Sequence, residues 1–444
     1  MVQLDTNTLL KILNVSNNGL ENKVFSGISI DTRSIKENEI FIAIKGKNFN
    51  GHHFIEDAFE KGASVCIIAE QIPSKPNCII VENTDLALAQ IAAYFVQQQK
   101  PKVIAITGSN GKTTTKEAIL NILKYKFSEH TILATEGNLN NHIGLPLTLF
   151  KLEVEHKIAI LEMGMNHSGE IDYLSKIAPP DIAVITNIGE AHIENFSTRK
   201  NIALAKKELL LNTSPTGTLI LPFDDDYYEL LSDGLQQKKI TFGKSNKADI
   251  YYEKTHNLYN FYYQGKKIIE KIKFIAEHNA INFMCAIGVA TELDFVEEEF
   301  NQIKNINFNI PHRLEFKRMK NGMTIIDDCY NANPTSMKKS LDILSDMVGY
   351  KIAVIGDMAE LGKSAKQYHQ EIISYAENKN IDLIFRFGIF FKNTESDIKK
   401  NFWYSSKELL IESLKKNLKS NSIILVKGSR SMKMEDIIEA IQNF

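Results

Sequence analysis

Lys102-Val-Ile-Ala-Ile-Thr-Gly-Ser-Asn-Gly-Lys-Thr-Thr114 is the stretch on which the fold turns. Its first six residues form an apolar run rich in β-branched side chains, and a stretch with helical periodicity follows Lys112. Between strand and helix, Gly108 and Gly111 let backbone N–H groups approach phosphate oxygens, and the helix N-terminus adds a favourable dipole. Lys112 can reach β- and γ-phosphates, and the Thr113 hydroxyl suits Mg²⁺. Position 106 is Ile, so the match is G-x-x-G-K-T and not the longer G-x-x-x-x-G-K-[ST]. A structural turn can carry such a string by chance. The strand–loop–helix setting favours a nucleoside triphosphate loop over Thr107, Gly108, Ser109, Asn110, Gly111, Lys112, Thr113 and Thr114.

The same alternation recurs outward from this loop. Ile158–Leu161 leads into Glu162-Met-Gly-Met-Asn166, and Ile182–Thr186 leads into Asn187-Ile-Gly-Glu-Ala-His192. Taken singly, Glu162 reads as the cap of a turn and His192 as a structural histidine. Their common placement shifts that balance, because three successive strands each end in a polar loop on one edge of a parallel sheet. A carboxylate there, beside a phosphate loop, belongs to a Mg²⁺ site. A further run lies at Thr218–Leu221, and residues 240–275, with alternating tyrosines and β-branched residues, predict antiparallel strands. Lys206, in Ile202–Glu208, reads from its helix as a solvated surface lysine. A helix is predicted over Asn279–Leu293, where Asn279 and Asn282 stand one turn apart. They could hydrogen-bond a base or cap the helix, and spacing alone favours capping.

The chain has 444 residues, enough for about three domains. A first block, 1–99, has strands at Val24–Ser29, Ile40–Ile44, Val65–Ile68 and Ile79–Val81 and a helix at Asp85–Gln99, and it closes on a polar segment before Pro101. The central block is 100–311. The third, 312–444, repeats the α/β alternation, with strands at Met323–Ile326, Ile352–Ile355, Leu383–Phe387 and Ile423–Val426. Helices fit at Thr335–Met347, Ala365–Asn378 and Lys407–Lys416, with Met337, Leu341, Leu344 and Val348 at helical spacing. In Asp327-Asp-Cys-Tyr-Asn-Ala-Asn-Pro334, Asn333 suits an N-cap and Pro334 the first helical position. That leaves Asp328, Tyr330 and Asn331 crowding one loop without a structural reason. The formal net charge of −2 implies no bulk attraction to nucleic acid. Four scattered cysteines, with no CxxC pair, suit a reducing cytoplasm. No apolar run reaches a membrane span, and the N-terminus lacks the pattern of a signal peptide. The expectation is a monomeric cytoplasmic protein with neither membrane nor nucleic acid as partner.

Thr107–Thr114, Gly137-Asn-Leu-Asn-Asn-His-Ile-Gly-Leu-Pro-Leu-Thr148, Glu162–Asn166, the His192 loop, His278-Asn-Ala-Ile-Asn282 and Asp327–Pro334 resemble the bacterial Mur ligases in order and spacing. Asp31-Thr-Arg33, Gly356-Asp-Met-Ala-Glu-Leu-Gly362 and Lys427-Gly-Ser-Arg-Ser-Met432 extend the resemblance over nearly the whole chain. It implies a small α/β UDP-binding domain, a central parallel-sheet ATPase domain and a C-terminal Rossmann-like domain. It also implies ATP-dependent amide formation between UDP-N-acetylmuramoyl-tripeptide and D-alanyl-D-alanine in peptidoglycan synthesis, with ATP and Mg²⁺. By resemblance, Lys112 contacts ATP phosphates, Thr113 and Glu162 serve one Mg²⁺, and His192 serves a second, helped by Lys206 where relatives carry a carbamoylated lysine. Asn282 and Arg313 approach the nucleotide, and Asp328 its ribose. Ser29, Asp31, Thr32 and Arg33 resemble a uridine site, and Asn138, Asn140, Asn141, Asn331 and Asn333 fall on the substrate side. Cys329 stands where a serine is usual. Competing readings are another amino-acid-adding Mur ligase, a folylpolyglutamate synthase-like ligase, and a nucleotide-switched binding protein.

Overall fold

A computed structural model describes residues 4–442 apart from 18, 47–48, 71–76, 275, 304–309 and 397–398. Residue 275, the end of the tyrosine-rich stretch read as strands, lies outside the described residues. The described residues build three principal sheets beside a two-stranded ribbon. In the first, the strands Gly27–Ser29, Glu39–Ile42, Ala63–Ile68 and Cys78–Ile80 run parallel. The central sheet has nine strands. Its parallel part runs Ile132–Ala134, Ile158–Glu162, Lys102–Thr107, Ile182–Ile185, Thr218–Pro222, Lys238–Phe242. The third sheet orders Glu315–Arg318, Thr324–Asp328, Ser422–Lys427, Tyr350–Gly356, Leu383–Phe387 and Asn401–Tyr404, with only the first pair antiparallel.

The parallel strands are continuous apolar runs because both faces are covered: Val103, Ile104, Ala105 and Ile106 are all buried. Alternate residues feed opposite cores. Val103 and Ala105 join a core shared with Phe95, Leu145 and Leu149, and Ile104 and Ile106 join one built on Ile119, Phe283 and Ala286. The helices Thr84–Gln99 of the first domain and Gly144–Leu149 of the central domain meet in the first of these cores, and the Phe95 and Phe150 rings pack edge to face at 5.6 Å. The first and central domains therefore share an apolar interior. The third domain's cores are Ile326, Leu341 and Leu425 on one face of its sheet, a cluster that also takes in Ala276 of the central block, and Ile325, Val426 and Leu410 on the other.

Three details depart from the sequence reading. Lys238–Phe242 pairs parallel with Thr218–Pro222, because the short helix Tyr228–Ser232 between them provides a crossover. Within the central sheet, antiparallel pairing among the described residues is confined to Ile250–Thr255, Leu258–Tyr263 and Lys266–Lys273. Val348 is not on a buried helix face: Pro334–Asp346 ends before it, Met347 is extended, and Val348 is 97% exposed. The edge strands Glu315–Arg318 and Asn401–Tyr404 and the C-terminal helix Glu435–Gln442 were not anticipated.

Candidate functional site

The loops leaving Lys102–Thr107, Ile158–Glu162 and Ile182–Ile185 meet because these strands are neighbours. A Cβ on Gly108 would lie 1.8 Å from Thr186 Oγ1, and one on Gly111, at φ +82°, would lie 2.4 Å from Asn282 Oδ1. Only glycine admits both approaches. The third loop splints the first: the Asn110 carbonyl accepts from Thr186 Oγ1 (2.6 Å) and Asn187 Nδ2 (2.9 Å), and Gly189 N donates to Ser109 Oγ (2.8 Å). Lys112 Nζ folds back to donate to the Gly108 carbonyl at 2.7 Å. Burial lowers the Lys112 pKa and Glu162 opposes that shift. An arriving phosphate offers this ammonium a far better acceptor than a carbonyl.

Glu162 is 3% exposed. Its Oε2 accepts from Thr113 Oγ1 and its Oε1 from Asn140 Nδ2, both at 2.8 Å, while its backbone N–H donates to Thr135 Oγ1 at 3.0 Å. Lys116 Nζ in turn bonds the Thr135 carbonyl at 2.6 Å. A carboxylate and a hydroxyl fixed side by side are hard oxygen donors, which fits Mg²⁺. Asn140 is thereby a holder of the carboxylate. Asn138 and Asn141 line the neighbouring wall, with Asn141 Oδ1 also accepting from Gly144 N at 2.8 Å.

The third domain reaches onto this loop cluster through polar groups. Arg313 Nη2 donates to Thr113 Oγ1 at 2.8 Å, and its guanidinium lies 4.0 Å from the Tyr330 ring centroid. Asn333 Nδ2 donates to Asn110 Oδ1, and Thr335 Oγ1 to Glu190 Oε2, both at 2.6 Å. His192 Nδ1 lies 2.7 Å from Glu360 Oε2, and this contact holds the Glu360 carboxyl below its ordinary pKa. Asp328 Oδ2 pairs with Lys427 Nζ and Ser340 Oγ, each at 2.6 Å. Asn331 Oδ1 is turned to the backbone N–H of Ala332 (2.8 Å). Together the domains enclose a cleft of about 1020 Å³, whose first-domain wall is Asn83, Asp85 and Leu86. Burial, aided by Lys339, pushes the His278 imidazole on this cleft down to about 4.

Ser109–Thr114, Asn138, Asn140, Asn141, Glu162, His192, Asn282, Arg313, Asp328, Asn331 and Asn333 are thus brought to one cleft. Thr107 and Gly108, just before them in the loop, are buried and are not among the residues lining the cleft. Lys206 is not a solvated lysine: the helix Arg199–Leu211 turns it inward, and it is 2% exposed. Burial and the Lys112 charge lower its pKa well below the ordinary value. Asn279 and Asn282 do not cap their helix. It begins at Glu277 with Ala276 as cap, leaving Asn279 on the cleft and Asn282 against Gly111. Ser29 ends the strand Gly27–Ser29 and Asp31, Thr32 and Arg33 form the turn after it; none is among the residues lining the cleft. There Arg33 pairs with Asp31 at 2.6 Å and holds its carboxyl down to about 2. Sequence reasoning missed Glu190, Thr335 and Glu360. Glu190 and Glu360 had a signal, within Asn187–His192 and Gly356–Gly362; Thr335 had none.

Asn333 also caps Pro334–Asp346, accepting from Ser336 N at 2.9 Å while Ser336 Oγ accepts from its N–H at 3.0 Å. Asn333→Ala should therefore cost about 1 kcal/mol, read as a lowered thermal midpoint. Asn333→Ser should keep the cap and lose the bond to Asn110. Equal midpoints for the two variants would remove the capping role.

Residues 24–96, 106–290 and 312–430 match family models for the Mur ligase family catalytic domain, the Mur ligase middle domain and the Mur ligase glutamate ligase domain. The chain is 35% identical over 439 residues to a UDP-N-acetylmuramoyl-tripeptide–D-alanyl-D-alanine ligase of Bacillus subtilis (96% of this chain, 95% of the relative). It is 30% identical over 457 residues to the ligase of that name from Escherichia coli (100% and 99%). Its fold matches a crystal structure of MurF from Acinetobacter baumannii with TM-score 0.93 at 30% identity, covering 100% and 99% of the two chains. It also matches MurF ligase from Thermotoga maritima in complex with ADP, with TM-score 0.84 at 28% identity, covering 94% and 97%.

Proposed function

Because the chain belongs to the Mur ligase family, we propose that its cleft joins D-alanyl-D-alanine to UDP-N-acetylmuramoyl-tripeptide, with ATP cleaved to ADP and phosphate. The observation that carries this reading is the enclosure of half-buried Lys112 with buried Thr113 and Glu162 by groups from all three domains. Amide formation needs its carboxyl activated away from water. The tripeptide carboxylate attacks the γ-phosphorus and ADP leaves, giving an acyl phosphate. The amine of the dipeptide attacks the acyl carbon, phosphate leaves with the C–O bonding pair, and the new amide nitrogen gives up its proton. Lys112 exchanges the Gly108 carbonyl for γ-phosphate oxygens, and its fixed charge acts where negative charge gathers. Thr113 and Glu162 would hold one Mg²⁺ and His192 a second, with Lys206 contributing to the second only as a carbamate; the cations would supply charge neutralisation at the phosphates.

Asn282 and Arg313 flank the nucleotide, Asp328 its ribose, and Ser29–Arg33 the uridine. The three units are 1–99 for UDP, 100–311 for ATP and 312–444 as the closing domain. The shared apolar core ties the first two together, while the third meets them through polar contacts that exchange readily with water. Closure of the third domain excludes water from the acyl phosphate. Bacterial cytoplasm is the compartment of this reading. Among the described residues no helix is long and apolar enough to cross a membrane.

The test is mass spectrometry of products from ATP, D-alanyl-D-alanine and UDP-tripeptides ending in lysine or in a diamino acid. Slow ATP hydrolysis indifferent to the acceptor, with no amide product, would favour a nucleotide-switched binding protein. In this reading Asn331 helps orient the dipeptide. Asn331→Ala should raise the KM for D-alanyl-D-alanine or lower kcat with ATP affinity unchanged. A variant losing ATP affinity but keeping dipeptide kinetics would move this loop to the nucleotide.

A further inference from the structure

We propose that His312 and Asp327 are positioning residues that aim Arg313 at the phosphate loop. The chain enters the third domain here, and Arg313 sits between two non-glycine residues in the left-handed region, His312 at φ +61° and Leu314 at φ +51°. Such backbone is unfavourable and persists only where surrounding contacts over-determine it. The contacts come from 327–330. His312 Nδ1–H donates to Asp327 Oδ2 at 2.9 Å, Tyr330 N–H donates to the His312 carbonyl at 3.2 Å, and Leu314 N–H donates to Asp328 Oδ1 at 3.2 Å. Asp327 is wholly buried and is itself fixed by Lys317 Nζ at 2.6 Å and the Cys329 thiol at 2.9 Å. The guanidinium that results from this pinning stacks on Tyr330 and reaches Thr113 Oγ1 across the domain boundary. A serine hydroxyl could make the bond that Cys329 makes to Asp327, so the unusual residue leaves the arrangement intact.

His312, Asp327 and Cys329 also bring three potential metal donors within 4.8 Å of one another. The Lys317 ammonium already pairs with Asp327 there, and every donor has a protein partner. The cluster is a clamp on the backbone and not a cation site.

The inference rests on Arg313 acting at the nucleotide, and a double-mutant cycle separates the two. His312→Ala, Arg313→Ala and the double variant are compared for ATP and D-alanyl-D-alanine kinetics, binding of a non-hydrolysable ATP analogue, and thermal midpoint. His312→Ala should raise the KM for ATP tenfold or more with dipeptide KM unchanged, and should add nothing in the Arg313→Ala background. His312→Asn should restore ATP binding to within a few fold, since its amide N–H takes the place of Nδ1–H and Asn tolerates left-handed backbone. This variant and the analogue titration also decide the matter should His312→Ala fold poorly. Equal losses in both backgrounds, or an asparagine variant no better than alanine, would overturn the proposal. Unchanged analogue affinity in Arg313→Ala would instead overturn the nucleotide role of Arg313.

Discussion

Replacing Lys112 by alanine is expected to abolish ligation while leaving the fold intact. Among the described residues the side chain bonds only the Gly108 carbonyl, and its charge is held in a site whose burial disfavours it. Removing an ammonium from such a place relieves a desolvation cost, so the thermal midpoint should hold or rise. The loop's shape does not depend on it, because Thr186, Asn187 and Asn333 already hold Asn110. Turnover is another matter. Loss of one preorganised neutral donor to a developing anion lowers kcat by about 10²–10³, and a full charge facing a transferring phosphoryl group should exceed that. The measurement is single-turnover amide formation beside a melt. A folded Lys112→Ala protein with near-wild-type turnover would remove this residue from the chemistry.

Much of the fold was legible because buried parallel strands announce themselves. Residues 103–106, 158–161 and 182–185 are uninterrupted apolar runs, and each leads into a polar loop on the same edge of the sheet. Edge strands are written differently. Glu315–Arg318 and Asn401–Tyr404 mix charge, amide and aromatic residues because one side faces water, so neither period stands out. Lys206 was misread for a related reason. Its helix carries Lys206 beside Lys207, and only packing decides which of them turns inward. Asn282 looked like a cap because capping is local, whereas its neighbour Gly111 is remote in sequence. The contacts that join domains were the least legible. Thr335 and Glu190 stand 145 residues apart, and nothing short of the tertiary arrangement pairs them. The Mur ligase resemblance supplied expected roles for Arg313 and Asp328, but not their dependence on His312, Asp327 and Lys427.

Glu162→Gln is expected to raise the Mg²⁺ requirement by at least an order of magnitude and to lower turnover by about 10²–10³. The substitution keeps the size of a side chain that is almost completely buried. It keeps one acceptor oxygen, for Asn140 or for Thr113, and places an amide N–H₂ against the other partner. Thr113 can rotate its hydroxyl to accept, and the Asn140 amide can turn its oxygen inward, so the hydrogen bonding can be rebuilt. The negative charge cannot. A divalent cation beside triphosphate oxygens then loses its protein counter-charge, and Thr113 loses the carboxylate that fixes its hydroxyl. His192→Ala should shift the Mg²⁺ dependence in the same direction, because it deletes a nitrogen donor and releases Glu360 from its 2.7 Å contact. Mn²⁺ binding in the presence of a non-hydrolysable ATP analogue, followed by electron paramagnetic resonance, reads the effect without turnover. If the cation dependence of both variants overlays that of the parent protein, the assignment of Glu162 and His192 to metal is wrong, and Glu162 is reduced to a hydrogen-bonded strand end that shapes the Thr113 loop.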